Sequence, residues 1–314
     1  LGLIKKNPWG IIAAIYLLSI AVASQILMPI GTIFAERLLF MSVLPYGIFI
    51  ALVYHLIQSK KPSNNKAAQK AILAIGAIAL IAYLPQSLTR NADWQNNNTL
   101  YHADIEKGSN SARINYNIGT ESYEQSKIPA NQASSQLLLN NAVKYLNNAI
   151  SIYPDYYDAY NNLGLVYRQL NEYQKGIALI KKAIAKNPSY KKYYLNLGLL
   201  YYDSKQYEFA IQSFDEYVAR NPQSYETYTL LGQACGNINQ FEKAIGYLNQ
   251  AISIKPDHLP ALNYLGMAYG FTKQPEKAKA VLNNALKYYP NDSNLLFNLS
   301  ITLHQLHEYQ EEYQ

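Results

Sequence analysis

Among its 314 residues the chain has one cysteine, Cys235, so no disulfide can form within it. That absence says little about compartment, because a repeat array needs no covalent staples. The sequence has no phosphate-binding P-loop, no glycine-rich dinucleotide fingerprint, no Cys/His zinc spacing and no nucleophile elbow. Its five histidines are scattered; His304 and His307 lie one helical turn apart with Glu308 beside them, a pattern of helix-surface residues, and no metal site is assigned. Charge of one sign is also scarce. The net charge is +6, part of it from lysines that flank apolar runs, and it forms no basic stripe, so nucleic acid is not an expected partner. Beyond about residue 88 there is no apolar run of membrane-spanning length.

What is present divides the chain in two. Residues 1–89 are dominated by apolar runs, and the remainder is polar, asparagine-rich and home to most of the 30 tyrosines. Trp9 to Met28 and Leu38 to Ile57 are each long enough to cross about 30 Å of hydrocarbon as a helix. Ala71 to Leu88 is a shorter third candidate. Runs two and three are internal, and run one is followed by more of the same, which excludes a cleaved signal peptide. The alternative is that these are buried core helices, for which the sequence offers no amphipathic covering segments. Lys5 and Lys6 precede the first span, and Lys60, Lys61, Lys66 and Lys70 lie between the second and third, whereas the connector at Glu36-Arg37 carries one basic residue. Lysine-rich sides face the cytoplasm. The lipid bilayer is therefore an expected partner, the chain reads as a multi-pass membrane protein, and everything after Leu88 is expected to be extracytoplasmic. That means periplasm or cell exterior, or the endoplasmic reticulum lumen if the source is eukaryotic; only then do the glycosylation sequons at Asn97, Asn291 and Asn298 matter.

The polar part is periodic. Pro154, Pro188, Pro222, Pro256 and Pro290 are spaced by 34 residues, and so are Gly164, Gly198, Gly232 and Gly266. One unit reads Tyr160, Leu163, Gly164, Tyr167, Gly176, Ile180, Ala183, Pro188; the next reads Tyr194, Leu197, Gly198, Tyr201, Ala210, Phe214, Tyr217, Pro222. A 34-residue helix–turn–helix period is the signature of tetratricopeptide (TPR) repeats. The glycine lets two antiparallel helices, A and B, approach closely, and the proline ends helix B by pushing its predecessor out of the α region. A single pair cannot bury its apolar face, so the pairs stack. The expected fold is all-α: three transmembrane helices over 9–28, 38–57 and 71–88, a connector at 90–111, then a right-handed TPR superhelix over 112–314. Its units are 112–156, 157–190, 191–224, 225–258, 259–292 and a partial 293–314. The first carries 11 extra residues, since Gly119 to Pro154 spans 35 residues where later units have 24; a loop around Gln125 to Ser135 is expected to hold them. A start at Leu1 and an end inside the repeat pattern read as a fragment of a longer protein.

The residue before the Leu-Gly pair of helix A, or before its equivalents Ile118-Gly119 and Leu299-Ser300, is expected on the concave face. In order these are Asn117, Asn162, Asn196, Leu230, Tyr264 and Asn298. An amide carries donors and an acceptor and so can pair with both groups of a peptide bond. A row of them can hold an extended chain by its backbone, which resembles the asparagine ladder in the TPRs of O-GlcNAc transferase. The alternative is that asparagine is simply tolerated on a helix surface. Most tyrosines, such as Tyr167, Tyr201 and Tyr269, are repeat core; Tyr202 and Phe271 are the candidate groove anchors. A protein or peptide is the expected partner.

Two segments outside the repeats carry a further resemblance. One is Pro29-Ile-Gly-Thr-Ile-Phe-Ala-Glu-Arg-Leu-Leu-Phe40. The other runs from Arg90 through Asp93-Trp94, Asn98-Thr99-Leu100-Tyr101 and Ser109-Asn110-Ser111-Ala112 to Asn115-Tyr-Asn-Ile-Gly119. Both are similar to the TMTC family and its bacterial relatives, multi-span GT-C-type glycosyltransferases with a C-terminal TPR array. Ser42 departs from that pattern, where the family has proline. The resemblance implies transfer of a sugar, typically mannose, from a polyprenyl-phosphate donor to protein hydroxyls on the extracytoplasmic face. The acidic catalytic residues of such enzymes lie in an early loop that has no equivalent here, so no catalytic residue is assigned, and no cofactor is evident beyond that donor. Arg37, with Glu36 beside it, either marks the membrane interface or binds the donor's phosphate through its guanidinium fork. The expected function is acceptor binding for a protein O-mannosyltransferase; the alternative is a non-enzymatic, membrane-tethered TPR scaffold for protein assembly.

Overall fold

Residues 97–312, together with the isolated Ala74, are described by a computed structural model. The chain divides into two units, Leu1–Gln95 and Asn96–Gln314, and the helices from Asn97 onward belong to the second. The three expected spans, and with them Glu36 and Arg37, lie outside the described residues. Among the described residues no helix is long and apolar enough to cross a membrane.

The described residues are helical and contain no strand. Helix α1 (Asn97–Gly108) leads into α2 (Ala112–Ser126) and α3 (Ser135–Ile152). Then follow α4 (Tyr157–Gln169), α5 (Tyr173–Lys186), α6 (Lys191–Asp203) and α7 (Tyr207–Arg220). The series ends with α8 (Tyr225–Asn237), α9 (Phe241–Ile254), α10 (Leu259–Phe271), α11 (Pro275–Tyr288) and α12 (Ser293–Glu312). Even-numbered helices from α2 onward are the A helices and odd-numbered helices from α3 onward the B helices.

Each A helix meets its B helix where glycine removes a side chain. A Cβ built on Gly198 would lie 2.4 Å from Phe214, and one on Gly232 would lie 2.5 Å from Leu248. Phe214 is fully buried and Leu248 nearly so, so neither can yield. The A-to-B turns repeat as faithfully. Asn171, Lys205, Asn239 and Lys273 all sit in the left-handed region, at φ 59°, 60°, 59° and 55°. The next residue's amide then reaches back to the helix, as Glu172 N to Tyr167 O at 2.8 Å and Gln206 N to Tyr201 O at 2.8 Å. This is a Schellman closure of helix A. The B helices stop one residue before each proline, in an extended residue such as Tyr153 (φ −132°, ψ 90°) or Lys255 (φ −133°, ψ 92°).

The extra residues of the first unit form structure rather than an open loop. Helix α2 continues to Ser126, a 3-10 helix spans Pro129–Ser134, and α3 has 18 residues where the later B helices have 14. Pro129 stands at the start of the 3-10 helix, where its missing N–H costs nothing. Asn131 Nδ2 donates to Gln125 O at 3.0 Å and Ser135 Oγ donates to Ser126 O at 3.1 Å, satisfying carbonyls at the end of α2.

Helix α2 touches α4, α4 touches α6, α8 touches α10 and α10 touches α12, whereas no comparable contact joins successive B helices. The A side is thus the closer-packed, inner side of the array, and its exposed positions form the candidate site.

Candidate functional site: the inner face of the A helices

Side chains on successive A helices meet in one register, 35 residues apart, which is one period plus one residue. In the first half of the array this register is stitched by polar bonds. Tyr193 donates its hydroxyl to Asp158 Oδ1 at 2.7 Å, Asn196 Nδ2 donates to Asn161 Oδ1 at 2.8 Å, and Arg168 Nε donates to Asp203 Oδ2 at 2.6 Å. Burial, then the Asp158 carboxylate, pushes the Tyr193 phenol pKa upward. Across the first junction, Asn162 Nδ2 donates to the Tyr116 hydroxyl and to Thr120 Oγ1, both at 3.1 Å. The Asn162–Tyr116 separation of 46 residues is the same register lengthened by the 11-residue insertion. Later in the array Asn298 Nδ2 donates to Asn263 Oδ1 at 2.6 Å.

The row of asparagines is therefore partly engaged. Asn162 uses both amide donors on the preceding repeat and accepts from Asn161 Nδ2 at 3.1 Å. Asn196 and Asn298 each commit one donor, and their carbonyl oxygens accept no bond among the described residues. Asn117 is half-buried on α2. The neighbouring column of Asn161 and Asn263, which accepts these bonds, is absent from the sequence reading; its signal was the Asn-Asn pair at 161–162.

Tyr202 and Phe271 occupy the same face. The Tyr202 hydroxyl donates to Gln233 Oε1 at 3.3 Å and accepts from Asn237 Nδ2 at 3.4 Å, and its ring meets Tyr207 edge-on at 5.4 Å. Burial, followed by the nearby Tyr264 phenol, raises its pKa. Phe271 is 63% exposed and stacks on Phe241, with centroids 4.6 Å apart and planes inclined by 12°. Tyr264, Met267 and Phe271 fall at i, i+3 and i+7 on α10 and are all exposed. Their counterparts in earlier repeats, such as Asn196 and Leu199, are half-buried.

No group of three His, Cys, Asp or Glu side chains is gathered among the described residues in a way that could hold a metal. Cys235 is fully buried between α8 and its partners, and burial pushes its thiol pKa up to about 11, which leaves it protonated and unreactive near neutrality. The inner face thus offers polar amide groups and exposed rings, a surface for noncovalent recognition.

Comparisons with known proteins agree with the geometry. Tetratricopeptide-repeat family profiles match residues 145–178, 167–225, 195–258 and 239–299. Protein O-mannosyl-transferase TMTC3 from Mus musculus is 25% identical over 149 residues, 48% of this chain and 14% of that protein. The Drosophila melanogaster Tmtc3 is 24% identical over 151 residues, 48% of this chain and 15% of that one. The aligned segment, in the repeats, thus spans about a seventh of the length of these relatives. Among solved structures, YrrB, described as a TPR protein with an unusual peptide-binding site, superposes with a TM-score of 0.52 at 20% identity, covering 63% of this chain and 96% of that one. MamA superposes with a TM-score of 0.50 at 20% identity, covering 56% and 91%. At that identity the superpositions speak for the fold alone. With the period, the glycine and proline positions and the helix pairs all in agreement, residues 145–299 of this chain are an array of tetratricopeptide repeats.

Proposed function

We propose that the inner face of the A helices binds a segment of another protein, and that it does so as the acceptor-binding part of a polyprenyl-phosphate-sugar-dependent protein O-mannosyltransferase. The observation that carries the first half is the uneven use of the inner face: the open oxygens of Asn196 and Asn298, Asn117, and the exposed ring of Phe271 lie along one surface of one helix layer. The resemblance of the flanking segments and the similarity to the TMTC3 proteins support the second half. In this reading the array is a right-handed superhelix held outside the cytoplasm by three spans, the bilayer is a partner, and Arg37 with Glu36 meets the phosphate of the donor lipid. Positioning a flexible acceptor beside a membrane-bound donor raises its local concentration, which is how a noncatalytic array assists a transferase.

A photo-crosslinking amino acid placed at Asn117 or Tyr264 on the inner face, and at the exposed Lys181 on the outer face of α5, tests the binding surface. Protein adducts are expected from the inner positions only; equal adducts from Lys181 would remove the groove from consideration. Reporter fusions test the orientation. A fusion after Leu88 is expected outside the cytoplasm and one at Ser63 inside it, and the reverse pattern would overturn the topology.

A further inference from the structure

Resting on the peptide-binding reading above, we infer that the second half of the inner face has a specific preference. The stretch across α8 and α10 takes an uncharged, extended peptide segment whose aromatic or large aliphatic side chain lies over Gly236 and Gly270, between Tyr202 and Phe271. Three observations converge on this surface.

The first is the glycine column. At one inner-face register, successive A helices carry Arg168, Tyr202, Gly236 and Gly270. The first two fill that register with large side chains, and the next two leave it empty. A Cβ at Gly236 would meet nothing within 4 Å, and one at Gly270 would meet only Gln305 Oε1 at 3.7 Å. Neither glycine has a positive φ, and neither sits at a close helix crossing, unlike Gly198 or Gly232. Glycine in a helix costs about 0.5–1 kcal/mol relative to alanine. Here neither conformation nor packing demands it, so what the two glycines provide is space.

The second is the wall around that space. Tyr202 stands on one side, held by Gln233 and Asn237. On the other, Phe271 lies flat on Phe241, which fixes its ring while leaving it 63% exposed, and Tyr264 and Met267 continue the same apolar stripe at 36% and 37% exposure. Rigid aromatic rings with one open face are favourable contact surfaces, because little side-chain freedom remains to be lost on binding.

The third is charge. Residues 227–237 and the whole of α10 contain no Asp, Glu, Lys or Arg, whereas α4 and α6 contain Asp158, Arg168, Lys191, Lys192 and Asp203. A charged ligand side chain buried at the Gly236–Gly270 register would lose its water, and α8 and α10 offer it no charged side chain except Glu226 at the far end of α8. The carbonyl ends of both helices, which terminate at Asn237 and Phe271, oppose acidic groups in particular. In the first half of the inner face Arg168 and Asp203 pair with each other and Asp158 holds Tyr193, so the second half is the part that selects by apolar contact.

The test uses the full chain and a fluorescein-labelled peptide of Ser, Thr and Gly with one central Phe, compared with peptides carrying Ala, Glu or Lys at that position. Binding is read by fluorescence anisotropy. The Phe peptide is expected to bind at least about tenfold more tightly than the other three, the effect of burying one such ring. Gly236→Leu starts from a Cβ that meets nothing within 4 Å and extends into the space, so it should weaken the Phe peptide by at least about tenfold while the melting temperature holds or rises. Gly270→Leu should act in the same direction. Equal binding of the Phe and Ala peptides, a preference for Glu or Lys, or unchanged binding by Gly236→Leu would overturn this inference and leave the broader peptide-binding reading standing. Failure of every peptide to bind would overturn both. A concentration-dependent dimer abolished by Phe271→Ser would assign the surface to a second copy of the chain and overturn the inference as well.

Discussion

Across α4 and α6 the inner face is closed by hydrogen bonds and an ion pair, and across α8 and α10 it is open and apolar, although the helix pairs beneath repeat every 34 residues in both regions. The backbone cannot account for the difference, since the turns, the Schellman closures and the glycine–large-residue contacts recur throughout. The difference lies in which side chains occupy the register that links one A helix to the next. Where that register carries Asp158 with Tyr193 and Asn161 with Asn196, the repeats bond to each other. Where it carries Gly236, Gly270 and the stripe of Tyr264, Met267 and Phe271, the surface is left to something else. A repeat array can thus hold its fold constant and assign neighbouring stretches of one face to cohesion and to recognition.

The sharpest way to break this comparison is to add one methyl group at two glycines of the A helices. Gly198→Ala drives a Cβ to 2.4 Å from the buried Phe214 and should destabilise by about 1–3 kcal/mol. Gly236→Ala meets nothing and should stabilise by about 0.5–1 kcal/mol. Urea denaturation of both variants decides it: a loss at Gly236 comparable with that at Gly198 would mean the second half is as tightly packed as the first.

Tyrosine hydroxyls give the next contrast. Tyr193→Phe leaves the Asp158 carboxylate without its buried partner and should cost about 1–2 kcal/mol. Tyr264→Phe, at an exposed position in the open half, should change stability by less than about 0.5 kcal/mol. Thermal melts that show no difference between the two would remove the assignment of the first half to cohesion.

Lys273→Gly sharpens the picture at the turns. Lysine holds φ 55° there, a conformation that glycine adopts without a Cβ clash, so the substitution should stabilise by about 0.5–1 kcal/mol. Lys205, at φ 60°, should respond alike because the turns are equivalent in both halves. Unequal responses, measured by chemical denaturation, would show that the turns are not interchangeable.

The smallest effect expected is pH-dependent. His258 packs edge-on against Tyr225 at 4.8 Å, with Lys255, Glu226 and Asp257 as its charged neighbours. Burial, then Lys255, lowers its pKa below the ordinary 6.5. The unfolded chain therefore binds a proton at a pH where the folded chain does not, so stability at this site is full above about 6.5 and declines as pH falls below it. His258→Gln should flatten that slope between about pH 7 and 5. An unchanged slope in the variant would place the titration elsewhere.

Much of the scaffold was legible from residue spacing because the physics that creates it is local. Pro154 through Pro290 end the B helices whatever surrounds them, and Gly198 must be glycine because a helix crosses there. The insertion between Gly119 and Pro154 was legible in length but not in form: a loop around Gln125 to Ser135 was expected, and the chain instead closes α2 with Asn131 and Ser135 and adds a turn to α3. Spacing puts Asn162 and Asn196 on the A helices in one row, but it cannot tell whether their amides reach outward toward a ligand or back to the array. Their bonds to Tyr116, Thr120 and Asn161 depend on how far one repeat rotates over the next, and the 35-residue register that results is invisible in a 34-residue period.

By itself, then, the sequence determined the helix pairs, their period, their order and the face on which the asparagines and Phe271 stand, since propensity, glycine contacts and proline stops act over a few residues. Which of those side chains are used up between repeats, and which stand open over Gly236 and Gly270, was decided only by tertiary structure. The reason is that stacking, not spacing, sets which atoms of neighbouring A helices come within hydrogen-bonding distance.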